Sequence, residues 1–190
     1  GSGHGTRCKV GMVNDRKERK SERVAAFEAI VSHYEGPLIR YASRIVNSED
    51  AAQDVVQDTF IKLFRKWQDA LEPGPKISSW LYRVAHNRAV DNIRKQSRRR
   101  ALHERHATEQ PESIPPDRGE AFRLDDSAVA AAAALKTLTE REQQLVILKV
   151  YEEKSYKEIS EIAGLTTSNV GYILHHAMKK LAVALRKAKA

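Results

Sequence analysis

The stretch of residues 155–181, SYKEISEIAGLTTSNVGYILHHAMKKL, decides the fold of the C-terminal part of the chain. Ser155 and Glu158 have the spacing of a capping box, so a short helix begins there, and Gly164 is the residue type that ends helices in a left-handed turn. A longer helix is predicted over residues 167–187, because its apolar residues recur at helical spacing. A short helix, a glycine-containing turn and a longer helix are typical of a helix-turn-helix.

The outer face of the longer helix carries side chains that suit duplex DNA. In a helix-turn-helix the start of the second helix enters the major groove, where hydroxyls and amides reach base edges and lysines contact phosphates. An ordinary helical hairpin in an all-α core is the alternative interpretation. The candidate DNA-binding residues on this face are Thr167, Ser168, Asn169, Tyr172, His175, His176 and Lys179.

Upstream of the helix-turn-helix, two more helical segments are predicted, and a linker precedes them. Residues 128–135 are alanine-rich and favour a helix, and Thr139 with Glu142 forms a further capping box. Residues 101–127 contain three prolines and seven acidic residues but few large apolar groups. This composition predicts a linker rather than a packed domain.

Four helices are predicted between residues 21 and 100. The first ends near Glu35 and the second begins at Pro37, because proline is disfavoured inside a helix but suits its first turn. Ser48 is the expected N-cap of the third helix, and the fourth begins around Ser78 or Ser79. The sequence therefore predicts an all-α protein with two small helical domains joined by a flexible linker. The expected divisions are a tag and disordered basic tail at 1–20, an N-terminal helical bundle at 21–100, the linker at 101–127 and the helix-turn-helix domain at 128–190.

Composition excludes several classes of function. The chain has 190 residues, a net charge of +8 and one cysteine, Cys8. It has no uninterrupted apolar run of about 18 residues and no secretory leader, so we expect a cytoplasmic protein without membrane insertion. One cysteine excludes a disulfide framework, and no motif for a nucleophile, phosphate loop or zinc protease is present. We therefore expect no enzyme, no catalytic residue, no metal site and no cofactor.

Charge is distributed unevenly along the chain. The net charge is +7 over residues 76–100 and +4 over residues 128–190, but −3 over residues 25–75. Two basic segments indicate two places for a polyanion, and the acidic segment indicates a basic partner. Within the first basic segment, Trp80 and Tyr82 lie among arginines, a combination that suits unstacked bases. The alternative is that Trp80 belongs to the core and the arginines form a solvated face.

Three stretches together resemble an extracytoplasmic-function (ECF) sigma factor of bacterial RNA polymerase. Residues 50–60, DAAQDVVQDTF, are similar to the helix of that family that binds core polymerase. Residues 80–91, WLYRVAHNRAVD, are similar to the helix that recognises the minus-ten promoter element, and residues 138–164 to the start of the domain that recognises the minus-thirty-five element.

The resemblance implies partners and a role for each segment. The first segment would dock on a coiled coil of the largest polymerase subunit, the flap would be a second polymerase contact, and the linker would thread into the RNA channel. The basic fourth helix would capture the non-template single strand of promoter DNA, and an anti-sigma factor is an expected partner. The implied polymerase-binding residues are Asp50, Gln53, Asp54, Gln57, Asp58 and Lys62. The implied minus-ten residues are Lys76, Ser79, Trp80, Arg83, Asn87, Arg88, Asp91, Arg94 and Arg98, and the helix-turn-helix face given above is the implied minus-thirty-five site.

The longer helix of the helix-turn-helix departs from the family pattern, which has several Lys or Arg residues there. This chain has Gly171 in mid-helix, followed by the pair His175 and His176. Two other functions remain possible from the residues alone: a stand-alone helix-turn-helix regulator with an N-terminal effector domain, and a helical scaffold that binds no nucleic acid.

Overall fold

The computed structural model describes residues 7–67, 72–106 and 126–189 of the chain. Every regular element within those ranges is helical, which confirms the predicted all-α fold. The N-terminal unit consists of α1 (Arg7–Val46), α2 (Glu49–Lys66) and α3 (Pro75–His106). The C-terminal unit consists of α4 (Asp126–Leu135), α5 (Glu140–Val146), a π-helical turn (Ile147–Tyr151), α6 (Tyr156–Ala163) and α7 (Thr167–Lys189).

The predicted break at Glu35–Pro37 is wrong, because α1 runs through Pro37 without interruption. Proline removes one backbone hydrogen bond from the interior of a helix. In α1 this loss is offset by packing on both sides of the proline, where Tyr34, Leu38 and Tyr41 lie on one buried face. Fully burying one large apolar side chain contributes about 1.5–3 kcal/mol, so the continuous face outweighs the local defect.

Helices α1 and α3 are also longer than predicted. Residues 7–20, assigned to the disordered tail, belong to α1, and α3 begins at Pro75 instead of Ser78. At its other end α3 continues to His106 and therefore includes the first residues assigned to the linker. The last two residues assigned to the linker, 126 and 127, belong to α4, while residues 107–125 and 1–6 lie outside the described residues.

The core of the N-terminal unit lies between its three helices, each of which contacts the other two. Helix α2 begins where predicted, since the side chain of Ser48 accepts a hydrogen bond from the backbone N–H of Ala51. The fully buried residues Leu38 and Tyr41 of α1, Leu63 of α2 and Leu81 of α3 meet at the centre.

The C-terminal unit is built on two capping boxes and a left-handed glycine. Thr139 with Glu142 caps α5, and Ser155 with Glu158 caps α6, both as predicted. Gly164 ends α6 with a φ of 66°, a conformation that favours glycine. Helix α7 then packs against α4, α5 and α6. The two units contact each other mainly through α3 and α6.

Candidate polymerase and nucleic-acid interfaces

The acidic residues of α2 lie on one exposed face of the helix. The opposite face is buried against α1 and α3 through Val55, Val56 and Phe60. Because this packing fixes the rotation of the helix, the polar residues point outward. The exposed residues on this face are Asp50, Gln53, Asp54, Gln57, Asp58 and Lys62.

An apolar cavity that sequence reasoning missed adjoins the acidic face. Its volume is about 730 Å³, and it is lined by apolar residues of α1 and α2 and, at its polar edge, by Glu35, Gln53, Asp54, Gln57 and Arg65. Phe27 and Phe64 form its aromatic wall, with ring centroids 5.1 Å apart. Phe64 and Ile61 are about two-fifths exposed. Two large apolar residues on the polar side of α2 were the available sequence signal for this cavity.

Helix α3 presents a basic face, and near its beginning Trp80 meets Trp67 from the end of α2. The rings of Trp67 and Trp80 meet edge to face at 6.0 Å, and Lys66 Nζ lies 5.9 Å from the centre of the Trp80 ring. Trp80 and Ser79 are partly buried, as is Arg88, whose guanidinium lies 3.6 Å from the carboxylate of Asp58. The other predicted minus-ten residues are exposed: Lys76, Arg83, Asn87, Asp91, Arg94 and Arg98.

Helix α1 holds both ends of the connection between α2 and α3. The Arg23 guanidinium donates hydrogen bonds to the carbonyl oxygens of Phe64 and Trp67, at 2.6 and 2.9 Å. The Tyr34 hydroxyl accepts a hydrogen bond from the N–H of Gly74 at 3.2 Å and lies 3.3 Å from its carbonyl oxygen. The start of α3 is therefore held in place by two side chains of α1, Arg23 and Tyr34.

His86 lies in the middle of the α3 segment but does not belong to its exposed face. It is 2% exposed, and its Nδ1 lies 2.8 Å from the Tyr41 hydroxyl. Burial lowers the pKa of His86 to about 4, with a further contribution from the nearby charge of Arg141. A neutral buried imidazole is a structural group, in contrast to the neighbouring Asn87.

The helix-turn-helix presents the face that its sequence predicted. Val170, Leu174 and Ala177 of α7 are buried against the rest of the unit. Arg141 Nη2 donates to the carbonyl oxygen of Ala163 at 2.9 Å and so ties α5 to the turn. The exposed residues of α7 include all seven candidates: Thr167, Ser168, Asn169, Tyr172, His175, His176 and Lys179.

An aromatic cluster replaces the expected cations on this face. The rings of Tyr172 and His176 are 4.4 Å apart, and those of His175 and His176 are 5.8 Å apart. Tyr172 is 66% exposed. Gly171 lies beside the Tyr156 ring, where an added Cβ would lie 3.5 Å from the nearest ring atom.

No cluster of three or more potential metal ligands occurs within the described parts of the chain. In the same residues, no helix is both long and apolar enough to cross a bilayer.

Each of the two units matches a known protein family. Residues 30–99 match the family described as Sigma-70 region 2, and residues 128–181 match Sigma-70 region 4. The RNA polymerase sigma factor SigV of Bacillus subtilis is 26% identical over 170 residues, which cover 90% of this chain and 97% of SigV. The ECF RNA polymerase sigma factor SigW of the same organism is 26% identical and covers 92% of this chain and 97% of SigW.

Solved structures share the fold. The sigma factor RpoE from Bartonella quintana, in complex with the anti-sigma factor NepR, superimposes with a TM-score of 0.62 at 24% identity, covering 84% of this chain and 96% of RpoE. The structure of CnrH in complex with the cytosolic domain of CnrY gives a TM-score of 0.63 at 22% identity, covering 90% and 94%. None of these matches favours a stand-alone regulator. Two sigma regions in order, together with relatives similar along nearly their whole length, place the chain in the extracytoplasmic-function family of RNA polymerase sigma factors.

Proposed function

We propose that three exposed faces of this sigma factor divide the work of promoter recognition. The acidic face of α2 binds the basic coiled coil of the largest polymerase subunit. The basic face of α3 captures the non-template strand at the minus-ten element, and the outer face of α7 recognises the minus-thirty-five duplex. The observation that carries the proposal is that these faces lie on separate helices, and that the acidic face is distinct from the two that suit DNA.

Electrostatics supports the polymerase assignment. Carboxylates on one helix face attract a basic partner over roughly 10 Å at moderate salt. The apolar cavity beside Asp54 supplies a surface that a partner helix would cover. Electrostatic attraction of the polymerase and burial of apolar surface would therefore occur at the same site.

The chemistry of α3 supports single-strand capture. Trp80 offers a ring beside Lys76 and Arg83, and stacking of a base on an aromatic ring contributes about 1–3 kcal/mol. On this proposal the chain performs no catalysis. It acts with RNA polymerase in the cytoplasm, contacts the polymerase flap as well, and is held inactive by an anti-sigma factor. The complex of RpoE with the anti-sigma factor NepR supports a partner of this kind.

The test is a charge reversal on the acidic face. Asp54→Arg is expected to abolish co-purification with bacterial core polymerase and to reduce promoter-dependent RNA synthesis to background. Asp54 is the better choice than Asp58, because Asp58 also pairs with Arg88. The matched control is Glu28→Arg, an equal charge change at an exposed position of α1 outside the proposed face. The assignment is contradicted if both variants lose polymerase binding equally, or if neither variant loses it.

A further inference from the structure

The first half of α7 carries no permanent charge. Residues 167–178 contain no Lys, Arg, Asp or Glu, and the first lysine of the helix is Lys179. The side chains of this stretch that can become cationic are His175 and His176. The part of a recognition helix that enters the major groove is flanked by phosphates of both strands, so a positive charge there strengthens duplex binding.

Two cations that share a cavity with His176 are already engaged in the fold. The cavity is small, about 300 Å³. Lys180 Nζ lies 2.8 Å from one carboxylate oxygen of Glu142, and Arg141 Nη2 donates to the carbonyl oxygen of Ala163 at 2.9 Å. Neither cation can turn toward a phosphate without leaving its partner. This edge of the face therefore depends on the imidazole for any added positive charge.

The two imidazoles are placed to contact different phosphates. His175 and His176 are both exposed, and their rings meet edge to face with centroids 5.8 Å apart. Consecutive residues of an α-helix diverge by about 100° around its axis. The Tyr172 ring lies 4.4 Å from the ring of His176 and supports it on one side. One imidazole thus faces each side of the ridge that would enter the groove.

We propose that His175 and His176 are proton-dependent phosphate contacts that take the place of the fixed cations absent from this part of α7. Histidine is the side chain whose charge changes between about pH 5 and pH 8. A phosphate within about 4–6 Å favours the charged imidazole, so the DNA complex holds protons that the free protein does not. Because the bound state takes up protons, the affinity for duplex DNA rises as the pH falls.

The groups that face the histidines favour this coupling. The cavity beside His176 holds two cations and one carboxylate, and Lys179 lies one helical turn from His175. DNA phosphates would balance these positive charges, so the complex favours protonation more than the free protein does. Helix α4 packs against α7 with alanines. The neighbour from α6 is Tyr156, which lies beside Gly171 and adds no charge near neutral pH.

The experiment measures how pH changes the affinity of the full chain for duplex DNA. The probe is a fluorescein-labelled duplex of about 25 base pairs with mixed sequence, titrated at pH 8 and at pH 6. We expect the parent to bind at least about tenfold more tightly at pH 6. The slope of log affinity against log salt should also be steeper at pH 6 by about 1–2, because each neutralised phosphate adds about 0.9.

Paired variants assign the effect to the two histidines. His175→Gln combined with His176→Gln should remove most of the pH dependence, whereas His33→Gln, at an exposed position of α1, should keep it. Arginine at positions 175 and 176 fixes the charge, so that variant should bind at pH 8 about as tightly as the parent does at pH 6. Circular dichroism at both pH values confirms that each protein is folded. An equal affinity ratio in the parent and the glutamine variant overturns the proposal.

This inference rests on the proposed function only in that the outer face of α7 contacts duplex DNA, and Lys179→Ala separates the two failures. If Lys179→Ala leaves duplex binding unchanged at both pH values, this face does not bind DNA and both proposals are overturned. If Lys179→Ala weakens binding at both pH values while the glutamine variant keeps the parent's affinity ratio, the proposed face stands and the role of the histidines is overturned.

Discussion

The Tyr41 hydroxyl and the His86 imidazole form a buried polar pair at the centre of the N-terminal unit, with the oxygen 2.8 Å from Nδ1. Tyr41 is fully buried and His86 nearly so. Each side chain supplies the other's hydrogen-bond partner in a place that water does not reach, which is the condition under which a polar pair is tolerated in a core. The pair works only while His86 is neutral, since a charged imidazole there would be desolvated.

This pair predicts acid sensitivity. The pKa of His86 is about 4 in the folded protein and 6.5 in the unfolded chain, so the unfolded state takes up the proton first as pH falls. The stabilising contribution is fully present above pH 6.5 and is lost as pH falls toward 4. We expect the free energy of unfolding, measured in urea, to decrease by about 2 kcal/mol between pH 7 and pH 5. His86→Leu should flatten this dependence, whereas the exposed His103→Gln should not. An equal slope in all three proteins would contradict the assignment.

Glu142 joins the N-terminus of α5 to α7. Its carboxylate accepts hydrogen bonds from the N–H of Thr139 at 2.9 Å and from Lys180 Nζ at 2.8 Å. Burial acts to raise the pKa of Glu142, but the hydrogen bonds from Lys180 and Thr139 outweigh it and lower the pKa. We expect Glu142→Ala to reduce the free energy of unfolding by about 2 kcal/mol at pH 7, because the cap and the charge-assisted hydrogen bonds from Lys180 are both lost.

The contribution of Glu142 is present above pH 4.5 and disappears as pH falls through its lowered pKa. The variant and the parent should therefore converge in strongly acidic urea titrations. Glu140→Ala, in the same helical turn but exposed, is the control and should lose only a few tenths of a kcal/mol. A persistent difference at low pH would show that the carboxylate charge is not what stabilises the cap.

The two glycines of the helix-turn-helix should respond to alanine in opposite directions. Gly171 is helical, and an added Cβ would make ordinary contact with the Tyr156 ring at 3.5 Å, so Gly171→Ala should stabilise the unit by about 1 kcal/mol. Gly164 has open space but a φ of 66°, so Gly164→Ala should destabilise it by about 1–2 kcal/mol. Thermal unfolding of both variants decides the matter. A loss of stability in Gly171→Ala would mean that the Tyr156 ring cannot move to accommodate the added Cβ.

The outer face of α7 predicts two kinds of effect on duplex binding. Lys179→Ala should weaken binding to all sequences and lower the slope of log affinity against log salt by about 1, because one phosphate contact is lost. Tyr172→Ala should change which sequences are preferred, since an exposed ring suits contact with thymine methyl groups. Selection of bound duplexes by the polymerase complex, followed by salt titration, separates the two. Lys187→Ala, near the end of the same helix, is the control.

Local chemistry made much of the fold predictable. Both capping boxes and the turn at Gly164 depend on residues within four positions of one another, and each formed as the sequence indicated. Pro37 shows where local rules fail. Its helix-breaking effect is offset by the packing of α1 against α2 and α3, and residues distant in sequence supply that packing. The helical spacing of the apolar residues in α7 predicted both the helix itself and which of its faces is exposed.

Contacts between distant residues were not predictable. Tyr82 and Glu152 are 70 positions apart, and nothing near either of them in the sequence indicates the other. The cavity beside Asp54 likewise needs α1 and α2 at a particular distance, which hydrophobic periodicity does not supply. Sequence patterns therefore identified which faces are polar, but not what lies opposite them.

The π-helical turn has a consequence for how the chain tolerates changes in length. Its hydrogen bond spans five residues instead of the four of an α-helix, since the N–H of Glu152 donates to the carbonyl oxygen of Ile147 at 3.2 Å. Deleting one residue within 147–150 would therefore let the turn close as an ordinary α-helical turn, and we expect Glu152 to stay opposite Tyr82. The same deletion inside α7 would instead rotate the residues after it by about 100°. The turn thus acts as a local reserve of backbone length.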